Sequence, residues 1–136
     1  MGMVQAEITL KNVFDEGKAR EGLIGEDEVR SIAVTAIVDT GASTIVINEE
    51  LRQKMGLAKI RTKYVKLADG RRVQGWRTEP VGIHWKERSC ALEALLIPEA
   101  NHVLLGALAL EDMDLMVQPK TQEIVGAHGD EEMFFV

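Results

Sequence analysis

The sequence predicts a mostly β protein with two short helices. Its apolar residues occur in short runs that alternate with polar residues, as in strands with one buried face. Turn-forming residues separate these runs, and only two segments carry the start and stop signals of a helix. The 136 residues suit one domain. We expect its core at residues 4–125 and a C-terminal tail at 126–136.

The N-terminal third predicts a hairpin that leads into a loop. Residues 4–13 alternate in polarity and predict the first strand. Residues 14–28 are rich in glycine and acidic side chains, which favours a hairpin loop. Residues 29–38 predict the second strand, which ends directly before Asp39.

Two segments predict helices. Asn48 is a good N-cap for residues 49–55, because its side chain can accept a hydrogen bond from the first turn. Gly56 is a typical C-terminal stop for that helix. Residues 107–113 predict a second short helix directly after Gly106.

A long hairpin follows the first helix. Residues 59–68 and 71–85 predict its two strands, and Asp69-Gly70 between them favours a type I′ turn. Residues 59–72 hold six basic side chains and one acid. This cluster fits a solvated face, although an acidic ligand is an alternative.

The last third predicts four further strands. They are expected at residues 90–97, 102–105, 115–118 and 123–125. We expect the last two to form a hairpin that extends the core. The apolar end of the tail, residues 133–136, is expected to dock on an apolar groove or on a partner chain.

Composition excludes several classes of protein. A net charge of −6 argues against a dedicated nucleic-acid binder. No apolar run has the length of a membrane span, so we expect no membrane partner. The single cysteine, Cys90, cannot form an internal disulfide, which favours a reducing, cytoplasmic location. It is most simply a small buried hydrophobe.

The most informative stretch is residues 37–44, Ile-Val-Asp-Thr-Gly-Ala-Ser-Thr. It places Asp39 where an apolar strand would otherwise continue into the core. Burying that carboxylate costs several kcal/mol unless it is hydrogen-bonded. Gly41 permits a tight turn with a close backbone approach. An alternative, purely structural interpretation is an aspartate that caps its own turn.

This stretch resembles the active-site loop of the retroviral-type (retropepsin-like) aspartic proteases. The order of the predicted elements is similar to that family as well, and Leu104-Leu105-Gly106 looks like its second signature. The resemblance implies a retropepsin-like acid protease fold, a closed β-barrel-like half of a bilobal aspartic protease. In viral members both chain ends enter an intersubunit sheet.

The resemblance also implies an activity. One Asp-Thr-Gly per chain implies a C2 homodimer in which two copies of Asp39 activate a water for hydrolysis of a peptide or protein substrate, with no cofactor or metal. Thr40 and Gly41 would support the active-site loop. The residues implied to bind substrate are Gly41, Ala42, Ala68, Asp69, Gly70 and Leu105.

Departures from the family pattern leave an alternative open. Ser43 and Ala107 stand where viral members have an Asp and an Arg that form an ion pair, and the hairpin tip lacks their glycine-rich sequence. The alternative is a weakly active or inactive dimeric peptide-binding or assembly module that keeps the protease fold.

Other chemistries have little support in the sequence. The three histidines, at positions 84, 102 and 128, lack the spacing of metal ligands. No Gly-x-Ser-x-Gly segment predicts a serine nucleophile. Trp76 and Trp85 are expected to cover the sheet.

Overall fold

A computed structural model describes residues 3–136 of the chain. The strands are β1 (Gln5–Asn12), β2 (Ser31–Val38), β3 (Val46–Ile47), β4 (Lys59–Lys66), β5 (Arg72–Trp85), β6 (Arg88–Leu96), β7 (Val103–Leu105), β8 (Leu115–Gln118) and β9 (Glu123–Gly126). The helices are α1 (Val13–Arg20), α2 (Glu49–Met55) and α3 (Ala107–Asp112), with a short 3-10 turn at Glu26–Glu28. Apart from α1, that turn and the two-residue strand β3, which were not predicted, these elements agree with the predicted ones to within about two residues at most ends.

Seven strands form one sheet in the order β1-β2-β7-β3-β6-β5-β4. An additional pairing between β1 and β5 closes six of these strands into a barrel and leaves β4 outside as an edge strand. Neighbouring strands are mostly antiparallel, but β2 runs parallel to β7 and β3 runs parallel to β6. The fold is therefore mostly β, as the residue pattern predicts, and barrel-like, as the family resemblance implies.

The barrel interior is filled by apolar side chains from most of its strands. Those with no exposed surface include Leu10, Ala36, Ile83, Leu96 and Leu105. Trp76 and Trp85 are half-buried and pack against this core, as predicted. Cys90 is buried as well.

The prediction of a hairpin loop at residues 14–28 is wrong, because α1 occupies the first half of this segment. The side chain of Asn12 caps α1 by accepting a hydrogen bond from the Asp15 N–H (3.0 Å). Asp15 is buried and accepts two side-chain hydrogen bonds from Arg30, at 2.8 and 3.0 Å. These contacts come from residues outside the helix, so they stabilise a helix that its glycine content argues against.

The last two strands, β8 and β9, pair in a separate two-stranded antiparallel sheet, which confirms the predicted hairpin. The tail then folds back over the end of α3. Arg88 donates to the carbonyl of Gly129 (2.7 Å), and the Met133 N–H donates to Asp114 Oδ2 (3.0 Å). Phe134 and Phe135 remain largely exposed beside an apolar groove.

Within residues 3–136, no helix is long and apolar enough to cross a membrane.

Candidate active site

Asp39 lies at the carboxyl end of β2, held by the neighbouring parallel strand. Val38 pairs with Leu105 in β7, and the Asp39 N–H donates to the Leu105 carbonyl at 3.0 Å. Because β2 and β7 are parallel, both strands end at the same edge of the sheet. The aspartate therefore projects from a braced edge of the barrel.

The loop after Asp39 is a tight turn that the aspartate itself caps. Asp39 Oδ1 accepts a hydrogen bond from the Gly41 N–H (2.9 Å), and the Asp39 carbonyl accepts one from the Ala42 N–H (3.1 Å). This is the local geometry expected of an aspartate that only caps its own turn, the alternative interpretation of this stretch. Within residues 3–136, Oδ2 has no hydrogen-bond partner and neither oxygen contacts a cation. Capping therefore leaves one carboxylate oxygen available for chemistry.

A second brace comes from the segment that begins α3. The Ala107 N–H donates to the Ala42 carbonyl (2.9 Å), and the Leu108 N–H donates to the Ser43 carbonyl (3.1 Å). A Cβ at Gly106 would lie 2.5 Å from the carbonyl oxygens of Ala42 and Thr44. Glycine is needed at position 106 because the two backbones approach so closely.

The two ends of the loop differ in exposure. Thr44 is buried, and its hydroxyl donates to the Glu93 carbonyl at 2.8 Å. Asp39 and Ala42 are half-buried, whereas Thr40 and Gly41 are exposed. The loop is therefore fixed at its base and presents the Asp-Thr-Gly tip outward.

The long hairpin of β4, β5 and their turn, here called the flap hairpin, has a different turn from the one predicted. The Leu67 N–H donates to the Arg71 carbonyl (2.8 Å), and the Gly70 N–H donates to the Leu67 carbonyl (2.9 Å). Gly70 has a positive φ of 88°, whereas Asp69 does not. The loop is thus a three-residue turn closed by a left-handed glycine, so the type I′ prediction is wrong. This loop is one residue longer than the predicted one. In it, Asp69 accepts hydrogen bonds from the backbone N–H and the side chain of Arg71.

A cavity of about 330 Å³ lies beside this turn. Its walls come from the flap hairpin, from β3 and from the segment before β7. The lining residues are Val46, Leu67, Arg71, Val73, Ile97, Glu99, Ala100, Asn101, His102 and Leu104. Six of these ten residues are apolar, which suits an apolar side chain.

Leu105, which the family resemblance implies binds substrate, does not line this cavity. Its side chain has no exposed surface and lies in the core. Successive residues of a strand face opposite sides, so the neighbouring Leu104 reaches the cavity. Leu104, and not Leu105, is therefore the leucine of β7 that lines this cavity. Alternation along β7 is the signal in the sequence that separates these two leucines.

The flap tip and the loop of Asp39 are distinct surface features. Ala68, Asp69 and Gly70 at the tip are exposed, and none of the three lines the cavity. The cavity reaches the flap hairpin through Leu67, Arg71 and Val73 instead. It also excludes Asp39, so the structure brings the flap strands together with Leu104 but not with the aspartate itself.

The histidines lie apart from one another. His84 Nε2 lies 3.0 Å from Glu16 Oε2, and His128 Nδ1 lies 2.8 Å from Asp114 Oδ2. His102 is exposed at the rim of the cavity. In the part of the chain that the structure describes, no three His, Cys, Asp or Glu side chains are placed to hold a metal ion.

Comparison with known proteins identifies the family. A profile of the gag-polyprotein putative aspartyl protease family matches residues 26–112. The chain belongs to this aspartyl protease family. The matched segment contains the Asp39 loop, the flap hairpin, Gly106 and all of α3. No curated protein matches the chain in sequence.

A solved structure supports the fold independently. The EIAV protease in complex with the inhibitor HBY-793 matches with a TM-score of 0.56 and 18% sequence identity. The match covers 82% of this chain and 88% of that one. At this identity the likeness establishes a retropepsin-like fold, which agrees with the family and with the predicted architecture.

Proposed function

We propose that this member of the aspartyl protease family is an endopeptidase that works as a homodimer, with one Asp39 from each protomer. The observation that carries the proposal is the Asp39 loop. It is braced by β7 and α3, carries an aspartate without a cation partner among the described residues, and exposes Thr40 and Gly41. A rigid loop with an outward tip is suited to meeting its own copy across a two-fold axis.

The need for a dimer follows from the chemistry. Aspartic proteolysis uses two carboxyl groups, and this chain has one Asp-Thr-Gly segment. Two carboxyls about 3 Å apart do not both ionise readily, so they share one proton, as aspartic proteases in general do. The ionised carboxylate takes a proton from a bound water while the protonated one donates to the scissile carbonyl. Water is the nucleophile, so no covalent intermediate forms.

The other assigned residues have supporting roles in this proposal. Thr40 would contact the partner loop, while Gly41 and Ala42 would face the substrate backbone. Ala68, Asp69 and Gly70 at the flap tip would close over an extended substrate and exclude water. Leu104 and the apolar side chains around it would receive an apolar substrate side chain.

One observation favours the alternative, a dimeric module that binds peptides without efficient turnover. Asp69 accepts hydrogen bonds from both the backbone and the side chain of Arg71, at 2.9 and 2.8 Å. These bonds stiffen a turn that a protease of this kind must open and close.

The test compares the wild-type protein with the Asp39→Asn variant on a diverse peptide library. The amide keeps the shape of the side chain but cannot share or transfer the proton. We expect cleavage by the wild type, at least a 100-fold loss in the variant (on the order of a general acid–base contribution), and an unchanged dimer by analytical ultracentrifugation. A statine-type inhibitor should bind the wild type far more tightly than the matching peptide. Equal binding of the two, without cleavage, would favour the peptide-binding module.

A further inference from the structure

The outer edge of β4 is unpaired in the part of the chain that the structure describes. This strand is the last in the sheet order and pairs with β5 alone. The Leu67 N–H donates to the Arg71 carbonyl on the inner side of the hairpin, and the register places Val65 opposite Val73. Leu67 and Val65 therefore point their backbone groups toward β5. Alternate residues of an antiparallel strand point their N–H and carbonyl groups away from the partner, and here these are Thr62, Tyr64 and Lys66. The edge therefore offers a row of free backbone groups to another strand.

This edge is strongly basic within an acidic protein. Six basic side chains and one acid lie within residues 59–72, whereas the whole chain has a net charge of −6. Arg61 and Arg71 are neutralised by Glu93 and Asp69, at 2.8 Å each. Lys63 and Lys66 form no ion pair with any residue from 3 to 136. Local positive charge on an acidic protein attracts acidic partners selectively.

The edge also exposes apolar and aromatic surface. Ile60 is 45% exposed and Tyr64 is 63% exposed. Lysines on an edge strand serve in many proteins to prevent unwanted strand pairing. That role does not account for a large aliphatic and a large aromatic side chain on the same strand, which favour pairing. The combination is better explained by a partner that contacts both kinds of side chain.

Two aromatic side chains of the flap hairpin already have a cation over one face of the ring. The guanidinium of Arg72 lies 4.4 Å from the centre of the Tyr64 ring, and the Lys59 ammonium lies 4.1 Å from that of Trp76. One face of each ring is thus occupied, and stacking on open aromatic faces is a main attraction for single-stranded nucleic acid. An acidic polypeptide, whose backbone can pair with the edge, fits better.

We propose that the outer edge of β4 is a docking site for an acidic, extended polypeptide segment, which adds to the sheet as a further strand. Backbone hydrogen bonds to Thr62, Tyr64 and Lys66 would give affinity, and carboxylates facing Lys63 and Lys66 would give selectivity. The site lies outside the Asp39 loop and does not depend on catalysis.

The test measures binding of a fluorescent peptide, Glu-Thr-Val-Glu-Thr-Val-Glu-Thr, to the Asp39→Asn protein by anisotropy; Lys63 and Lys66 lie on opposite faces of the strand, and glutamates three positions apart can face both. A matched peptide has every Glu replaced by Gln, which keeps its length and shape. We expect the acidic peptide to bind at least about fivefold more tightly, with an affinity that falls as salt rises. Thr62→Pro removes one outward N–H and retains every base, so it should abolish binding; proline is tolerated on the free side of an edge strand.

Charge variants complete the test. Lys63→Gln with Lys66→Gln should weaken binding of the acidic peptide about fivefold. The control, Lys18→Gln with Lys120→Gln, removes the same charge from exposed lysines elsewhere and should change binding less than about twofold. Thermal unfolding verifies that each variant is folded. The proposal is overturned if the Gln peptide binds as tightly as the acidic one, or if the folded Thr62→Pro variant binds normally. It is also overturned if the two double lysine variants weaken binding of the acidic peptide equally. Displacement of the peptide by oligo-dT at lower concentrations than unlabelled peptide would identify nucleic acid as the occupant instead.

Discussion

The N–H of Asp39 donates a 3.0 Å hydrogen bond to the carbonyl of Leu105. This bond joins two segments that lie 66 positions apart in the sequence, and it fixes the start of the Asp-Thr-Gly turn on the barrel. The next residue, Gly106, then approaches the far side of the same turn. The position of the candidate catalytic acid is thus set by β7 and its glycine as much as by its own loop.

We expect Gly106→Ala to disrupt this arrangement. The added Cβ would meet backbone atoms of Ala42 and Thr44, which cannot move as a flexible side chain does. The expected loss is about 1–3 kcal/mol in the free energy of unfolding, measured by denaturant titration. Gly17→Ala is the control, because its Cβ would meet only the end of Arg20 at 3.8 Å. That helical substitution should be neutral or stabilise by up to about 1 kcal/mol. An unchanged stability of Gly106→Ala would contradict the packing argument.

The ion pair between Asp15 and Arg30 predicts a pH-dependent contribution to stability. Hydrogen bonds from the Arg30 side chain, against the opposing effect of burial, lower the pKa of Asp15 from 3.8 to about 2. A carboxyl whose pKa is lowered on folding stabilises the protein above its unfolded pKa and loses that contribution as the pH falls toward 2. Asp15→Asn should therefore cost about 1–2 kcal/mol at neutral pH, allowing for the half-exposed arginine.

The difference between wild type and Asp15→Asn should shrink between about pH 4 and pH 2, as measured by urea unfolding at a series of pH values. Glu50→Gln is the matched control, since Glu50 forms an exposed pair with Lys54 on the surface of α2. That variant should unfold like the wild type. A constant difference for Asp15→Asn down to pH 2 would show that the carboxylate charge is not the cause.

Cys90 should be unreactive in the folded protein. Burial in the barrel, with smaller effects from Asp112 and Glu132, raises the pKa of its thiol to about 12. Since the thiolate is the reactive form, labelling by Ellman's reagent at pH 8 should be slow in buffer and complete in denaturant. Rapid stoichiometric labelling of the native protein would mean that this part of the core opens readily.

Leu104 and Leu105 should respond differently to truncation. Leu105→Ala removes a fully buried side chain and should cost about 2–5 kcal/mol of stability. Leu104→Ala removes a half-buried one, so the loss should be clearly smaller, while kcat/KM for peptides with a large apolar residue should fall. Denaturant titration and peptide kinetics measure the two effects. Equal stability losses would contradict the assignment of Leu104 to the cavity wall.

The sequence predicts the strands well because their signal is local. Alternating polarity specifies which residues face the core, and the turns between consecutive strands mark where each strand ends. The Asp39 loop and Leu104-Leu105-Gly106 could be predicted to meet only through the family resemblance, because their hydrogen bonds connect distant segments.

Helix α1 could not be predicted from propensity, because its stability comes from tertiary contacts. An ion pair between buried Asp15 and the half-exposed Arg30, 15 positions away, holds a short segment that contains Gly17. Asn12 followed by Asp15 and Glu16 was a local signal for its start. The flap turn was missed for another reason: Asp-Gly is compatible with both two- and three-residue loops, and the pairing of Leu67 with Arg71 decides between them.

The central claim, that two copies of Asp39 act together, is tested most directly by mixing subunits. Wild-type and Asp39→Asn proteins are equilibrated in varying ratios at constant total concentration, and peptide cleavage is measured. If both aspartates of a dimer are required, activity follows the square of the wild-type fraction, so an equal mixture retains about one quarter of full activity. Activity proportional to the wild-type fraction, about one half in the equal mixture, would contradict the claim.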